Sequence, residues 1–166
     1  MPPSFAISDY YQARVKVPFG TLGVRTEGEV VSEIVFLPKS VTALAPRNRL
    51  AEKAAKQIAR YLDDPWYRFK LPLKEVGTPF QQRVWGAIST IPSGKTLSYG
   101  AIARQIRTGP RAVGQACGAN WFPLVVPCHR VVASGGLGGF GNQDVDDEGY
   151  HLTIKRWLLE HEGVGA

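Results

Sequence analysis

Cysteine is scarce: Cys117 and Cys128 are the only two in 166 residues, and neither belongs to a CxxC pair or a Cys/His cluster of the kind that holds zinc. Free thiols, no metal and no cofactor are expected. Long apolar runs are missing as well, since no stretch approaches the length needed to span a bilayer. The opening MPPSFAISDYYQARV lacks the basic start and apolar run of a secretion signal. These absences predict a cytoplasmic protein with no membrane association, where thiols stay reduced. Repeats and low-complexity tracts are also lacking.

What the chain does have is enough apolar material for a core: 44% of its residues are hydrophobic, and its length suits one large domain or two small ones. Its formal charge of +6 and pI near 9.5 point toward an acidic partner such as nucleic acid.

From Gln12 to Leu37 apolar and polar residues alternate, with breaks at Pro18-Phe19-Gly20 and near Gly28, which predicts an antiparallel meander. A helix follows over APRNRLAEKAAKQIARYLDDP, with Leu50, Ala54, Ile58 and Leu62 as its apolar stripe and Pro65 as its stop. Periodicity is lost in RFKLPLKEVGTP, where Pro72 and Gly77 suggest a linker. An N-terminal domain of residues 1–76 and a C-terminal domain of residues 77–166 are therefore expected.

The second domain opens on TPFQQRVWGAIS. Thr78 is the expected N-cap, Pro79 the first helical residue, Gln81 the capping-box partner, and Phe80, Val84, Trp85 and Ile88 the buried face. The segment SYGAIARQIRTGPRAVGQACGAN divides into a helix from about Tyr99, a short TGP turn and a second helix from Pro110, which reads as a helix-turn-helix. Ile102, Ile106 and Val113 face inward, leaving Arg104, Arg107 and Arg111 for solvent or phosphate. An ordinary helical hairpin with a solvated basic face would show the same pattern. The second helix is thin, with Ala112, Gly114, Ala116, Gly118 and Ala119, as a helix entering a narrow groove must be; close helix packing also favours small residues. A final amphipathic helix carries Leu152, Ile154, Trp157, Leu158 and His161 and ends at Gly163.

The run LVVPCHRVV is the chemically suggestive one. Pro127 pushes Val126 into an extended conformation, so Cys128 is expected after a rigid strand-like run. Burial among Leu124, Val125 and Val126 makes the reactive thiolate rarer unless a cation or base compensates, and His129 and Arg130 are the nearest candidates. On an extended strand His129 points away from the thiol and acts only through a turn or a water. A carboxylate is then needed to set its tautomer, and Glu160 or Glu162 can supply it. A core thiol and a hydrogen-bonded core histidine remain the plainer alternative.

In this order and spacing, IPSGKTLSYGAIA, PRAVGQACGAN, VPCHRVV and KRWLLEHEG resemble the methylated-DNA–protein-cysteine methyltransferases, or O6-alkylguanine-DNA alkyltransferases. The match covers about Gly77 to Gly163. The resemblance implies an α+β protein: a small ribonuclease-H-like sheet-and-helix domain, then a mostly helical domain with a winged-helix-like helix-turn-helix. It implies a monomer that flips O6-alkylguanine, and also O4-alkylthymine, out of double-stranded DNA and moves the alkyl group irreversibly to its own cysteine.

By motif position Cys128 is the acceptor, His129 the base acting through water, and Glu162 the carboxylate that orients it. Tyr99 lies by the flipped base and the 3′ phosphate, and Arg111 is the finger that fills the vacated stack. Ala112, Gly114 and Arg130 join the DNA-binding set. Asn120 is structural, and Val131, Ser134 and Phe140 line the pocket. Phe140 departs from the tyrosine of many relatives, and the GNQDVDDEGYH that follows is longer and more acidic; Asp144, Asp146, Asp147 and Glu148 are expected to face away from phosphate. A non-catalytic relative, a cysteine hydrolase and a plain basic binding module are the rival readings. An intact PCHR argues against the first, the lack of a visible oxyanion hole against the second, and the Cys-His-Arg run against the third.

Overall fold

The computed structural model describes residues 10–138 and 149–164. Within it the chain forms two compact units, residues 1–75 and 76–166, of mixed helix and sheet.

In the first unit, β1 (Ala13–Val17), β2 (Gly20–Glu27) and β3 (Val30–Leu37) make an antiparallel meander in the order β1-β2-β3. Pro18 and Phe19 form the first turn, and Gly28, at φ +57°, supplies the left-handed residue that a tight second hairpin needs. A register shift at Arg25/Thr26 bends β2. Leu22, Val24, Val31 and Ile34 are buried, and helix α1 (Arg49–Asp63), capped by Asn48, packs over β1 and β2.

The buried stripe of α1 is Ala51, Ala54, Ile58 and Tyr61, with Gln57 beside it, rather than the expected Leu50–Leu62 series. Steps of four residues drift about 40° each around a helix of 3.6 residues per turn, whereas alternating steps of three and four stay on one face. The presumed linker is also partly ordered into this unit. Leu73 bridges Val31, and Gln57 binds both the amide and the carbonyl of Lys70. Single-residue pairing of this kind leaves no periodicity in the sequence.

The second unit begins with α2 (Pro79–Ile88). Thr78 accepts from the Gln81 amide while the Gln81 side chain accepts from the Thr78 amide, closing the expected capping box. Val84, Trp85 and Ile88 are buried, but Phe80 is only half-buried. Gly77 is needed where it stands: its φ is +89°, and a Cβ there would sit 2.6 Å from the Trp85 ring.

Strand β4 (Leu97–Ser98) leads into α3 (Tyr99–Ile106), capped by Ser98. Arg107, at φ +60°, ends α3 in the left-handed conformation, and α4 (Pro110–Gly118) follows after Gly109. The Trp85 indole donates to the Ala116 carbonyl at 2.9 Å, tying α2 to α4. A 3-10 turn at Cys128–Arg130 precedes β5 (Val131–Val132), which pairs with β4 in parallel, Leu97 opposite Val131. Helix α5 (Tyr150–His161) closes the unit. No helix among the described residues is long and apolar enough to cross a membrane.

Candidate active site

The chain reaching Cys128 is a tight turn, not the expected strand. Leu124 sits at φ +77°, Pro123 bridges Val126, and the Cys128 amide donates to the Val126 carbonyl at 2.8 Å. Pro127 restricts only Val126, which forms the bridge with Pro123, and Asn120 holds the turn from outside. Its side chain donates to the Val126 carbonyl at 2.9 Å and accepts from the Phe122 amide at 2.8 Å. A bulky residue in the left-handed region is strained, and these contacts fix it.

The 3-10 turn then swings His129 inward. His129 is 1% exposed, and its Nε2 lies 2.7 Å from Oε2 of Glu162, itself sealed from solvent. Arg130 grips the same carboxylate, Nε to Oε1 at 2.9 Å and NH2 to Oε2 at 3.0 Å, while NH1 donates to the Ile91 carbonyl at 2.7 Å. Expected on the DNA-binding surface, Arg130 is turned inward and bidentate. Glu160 is exposed and takes no part.

Burial alone would raise the Glu162 carboxyl, but hydrogen bonds from His129 and Arg130 outweigh it and hold the group at about 2. The carboxylate is therefore ionised and only accepts, so Nε2 of His129 carries the proton and Nδ1 the lone pair. Nδ1 has no hydrogen-bond partner among the described residues. Burial lowers the His129 pKa further than Glu162 raises it, with Arg130 and Lys155 adding to the lowering. The imidazole is neutral at neutral pH and shaped as a base through Nδ1.

Cys128 is 3% exposed. A hydrogen bond with the Cys117 thiol, then burial, push its pKa well above the ordinary thiol value, while Asn120 and Lys155 pull it down. The resting sulfur is a protonated thiol, so nucleophilic chemistry here requires a base.

Lys155 was not anticipated. It is wholly buried on α5, donates from Nζ to the Val131 carbonyl at 2.7 Å, and stands 5.7 Å from the centre of the Tyr99 ring. Burial drops its pKa to about 8, against the influence of Cys117 and Cys128, so it is mostly cationic at neutral pH. The signal was spacing. Lys155, Leu158, Leu159 and Glu162 fall at i, i+3, i+4 and i+7, so the lysine shares the buried stripe. The structure buries Ile154, Lys155, Leu158 and Leu159 and leaves Leu152, Trp157 and His161 half-exposed.

Tyr99 opens α3, with Gly114 of α4 and Gly138 against its ring. A Cβ on Gly114 would lie 3.9 Å from the ring, and one on Gly138 2.9 Å. Arg111 is exposed in the first turn of α4, Ala112 is half-buried, Val131 is buried and Ser134 is exposed. Ile106, expected inward, is half-buried. Phe140, Asp144, Asp146, Asp147 and Glu148 lie outside the described residues, among which no group of three or more potential metal ligands occurs.

A buried thiol followed by a neutral, carboxylate-oriented histidine is the equipment of a protein that works through a cysteine nucleophile. Residues 79–164 match the model of the 6-O-methylguanine DNA methyltransferase, DNA binding domain. The chain is 41% identical over 152 residues to the methylated-DNA–protein-cysteine methyltransferase of Mycobacterium bovis, covering 87% of each chain. It is similar in structure to the O6-methylguanine methyltransferase of Mycobacterium tuberculosis, with a TM-score of 0.75 and 34% identity over 92% of each chain. Against the Mycobacterium tuberculosis OGT in complex with DNA the TM-score is 0.74, at 37% identity over 90% of each chain. The chain belongs to the methylated-DNA–protein-cysteine methyltransferase family.

Proposed function

We propose that the protein repairs DNA by direct reversal, transferring an alkyl group from O6 of guanine in duplex DNA to Sγ of Cys128 and ending its working life in doing so. The observation that carries this reading is the 2.7 Å contact between Nε2 of His129 and Oε2 of Glu162, which fixes the histidine tautomer once the carboxylate is ionised. Glu162 claims the Nε2 proton, leaving Nδ1 as the acceptor for the Cys128 proton through one bridging water. The thiolate then attacks the alkyl carbon, the S–C bond forms as the C–O6 bond breaks, and the electron pair passes to the guanine, which takes up a proton. The thioether product has no leaving group that water can displace readily, so turnover stops after one event.

The Lys155 ammonium favours the transient thiolate. Tyr99, at the start of α3, is assigned to the flipped base and its phosphate, with Arg111 as the side chain that fills the stack. Ala112 and Gly114 keep α4 slim enough for a groove. Arg130 is better assigned to Glu162 than to phosphate, given its three inward hydrogen bonds. Val131, Ser134 and Phe140 are assigned to the pocket and Asn120 to the turn beneath it.

The finer fold reading is a ribonuclease-H-like first unit and a winged-helix-like second one, the latter supported by the α3–α4 pair beside β4 and β5. A monomer acting in the cytoplasm, with O4 of thymine as a second substrate, completes the proposal. The test is intact mass after mixing with duplex DNA carrying O6-methylguanine. One methyl per protein, mapped to Cys128, is expected; methyl release with turnover, or none transferred, overturns it.

A further inference from the structure

The chemistry lies in the second unit, yet the charge lies mostly in the first. Residues 1–75 hold twelve Lys and Arg against eight Asp and Glu, which is +4 of the chain's formal +6. Four of those cations stand on α1, where Arg49, Lys53, Lys56 and Arg60 are all exposed. Their spacing of four, three and four residues keeps them within about 60° of arc, so they form one row about 16 Å long on the outer face of the helix. The opposite face, with Ala51, Ala54, Ile58 and Tyr61, is buried against the sheet.

Folding gains nothing from this row. Arg49 opens the helix, where the dipole favours an anion. Arg49 and Lys53, Lys53 and Lys56, and Lys56 and Arg60 are like-charge neighbours at i,i+4 or i,i+3, and each such pair is destabilising. Little offsets them. Among the described residues the side chains of Arg49 and Lys53 make no hydrogen bond or ion pair, Lys56 reaches Glu52 only at 4.0 Å, and Arg60 stands 5.1 Å from the centre of the Tyr67 ring. At one end of the row Arg49 and Lys53 border a hollow of about 390 Å³, lined also by Gly28, Glu29, Asn48 and Leu50.

We propose that the outer face of α1 is a second DNA-contact surface, whose cations neutralise successive phosphates of a duplex backbone independently of the α3–α4 pair. One strand of a duplex presents about five phosphates over about 16 Å of its axis, so four cations in a row of that length meet a polyanion of matching pitch. A lipid surface is the poorer fit, because a helix that lies in a membrane inserts its apolar face, and that of α1 is committed to the sheet. Phosphate contacts carry no base information, so the row adds affinity for DNA of any sequence.

The test is fluorescence anisotropy of the full chain on an undamaged duplex of about 40 base pairs, between about 50 and 200 mM salt. Lys53→Gln and Lys56→Gln are compared singly and together, with Lys39→Gln as the same charge change at an exposed position outside α1. Each α1 substitution should lower the slope of log affinity against log salt by about 0.9, and the double variant should bind about tenfold more weakly at the lower salt. Lys39→Gln should leave the slope unchanged. Lys53→Glu sets opposite charges beside Arg49 and Lys56, so it should melt at or above wild type while binding DNA more weakly than Lys53→Gln; a purely structural role would move both readings together. Unchanged slopes, an equal loss from Lys39→Gln, or α1-dependent binding to phosphatidylserine vesicles in place of DNA overturns the proposal. Binding to undamaged DNA is read without any alkyl transfer, so its failure is distinct from a failure of the alkyl-transfer reading.

Discussion

His129 Nε2 and Glu162 Oε2 lie 2.7 Å apart with both side chains closed to solvent, and Arg130 binds the same carboxylate through two nitrogens. One carboxylate thus sets a tautomer and neutralises a buried cation. Glu162→Gln keeps the shape but removes the charge and can present a donor to Nε2, which permits the wrong tautomer. Alkyl transfer should fall by about 100-fold, in the range typical of losing a positioned base, measured as the single-turnover rate on O6-methylguanine duplex. Glu162→Ala should in addition cost about 3 kcal/mol or more, since it strands Arg130 without its partner. A rate within threefold of wild type for Glu162→Gln would show that His129 is not the base.

The same carboxylate governs acid stability. Its pKa is depressed from 4.5 to about 2, so the folded state binds its proton less readily than the unfolded chain. The contribution is complete above about 4.5, is lost as pH falls toward 2, and amounts to about 3 kcal/mol. His129, also depressed, acts in the same sense at milder pH, because the unfolded chain gains a proton below about 6.5 that the folded state resists. Urea midpoints should decline in two stages between pH 7 and 3, and Glu162→Gln should abolish the lower stage. An unchanged lower stage would place the acid sensitivity elsewhere.

Lys155 separates stability from chemistry. Its ammonium is buried and donates to the Val131 carbonyl at 2.7 Å, so Lys155→Met trades a desolvated charge for packing and should melt within a few degrees of wild type or higher. Without the cation the Cys128 thiolate becomes rarer, and the rate of reaction with iodoacetamide at pH 8 should drop about tenfold, a shift of about one pKa unit. Equal reactivity would mean that the lysine only anchors Val131.

These residues show what the sequence carries and what it hides. The capping box at Thr78 and Gln81, the meander and the paired helices were legible because each depends on neighbours in the chain. The residues alone narrowed the partner of His129 to Glu160 or Glu162, and the choice of Glu162 was legible only through resemblance, since 32 residues separate the pair. Lys155 was missed because its role depends on what faces it in three dimensions. The turn before Cys128 was misjudged because Pro127 constrains only its neighbour, while Asn120, seven residues earlier, decides the path.

Gly138 tests the seat of Tyr99. Its φ is +75°, and an added Cβ would approach the Ala133 amide nitrogen and the Tyr99 ring, each at 2.9 Å. The backbone at Ala133 yields little, so Gly138→Ala should cost about 1–2 kcal/mol from the left-handed conformation alone and displace the ring. Loss of transfer on duplex DNA should exceed that on free O6-benzylguanine, which needs no phosphate contact. Wild-type melting and rates would mean that the 133–138 loop moves without strain.

Arg111 lies exposed in the first turn of α4, behind Pro110 at the helix start. A guanidinium there can enter the stack because Ala112 and Gly114 beside it add no bulk, and its planar face substitutes for the extruded base. Unstacking costs a few kcal/mol, and the inserted cation offsets part of that. Arg111→Ala should therefore slow repair of duplex O6-methylguanine by about 10- to 100-fold, leave reaction with the free base within threefold, and leave the melting temperature unchanged. Arg111→Lys keeps the charge without the plane and should recover binding at low salt but little of the rate. Equal losses on duplex and free base would mean that Arg111 acts on the Cys128 site rather than on the flipped nucleotide, and a full rescue by lysine would reduce it to a phosphate contact.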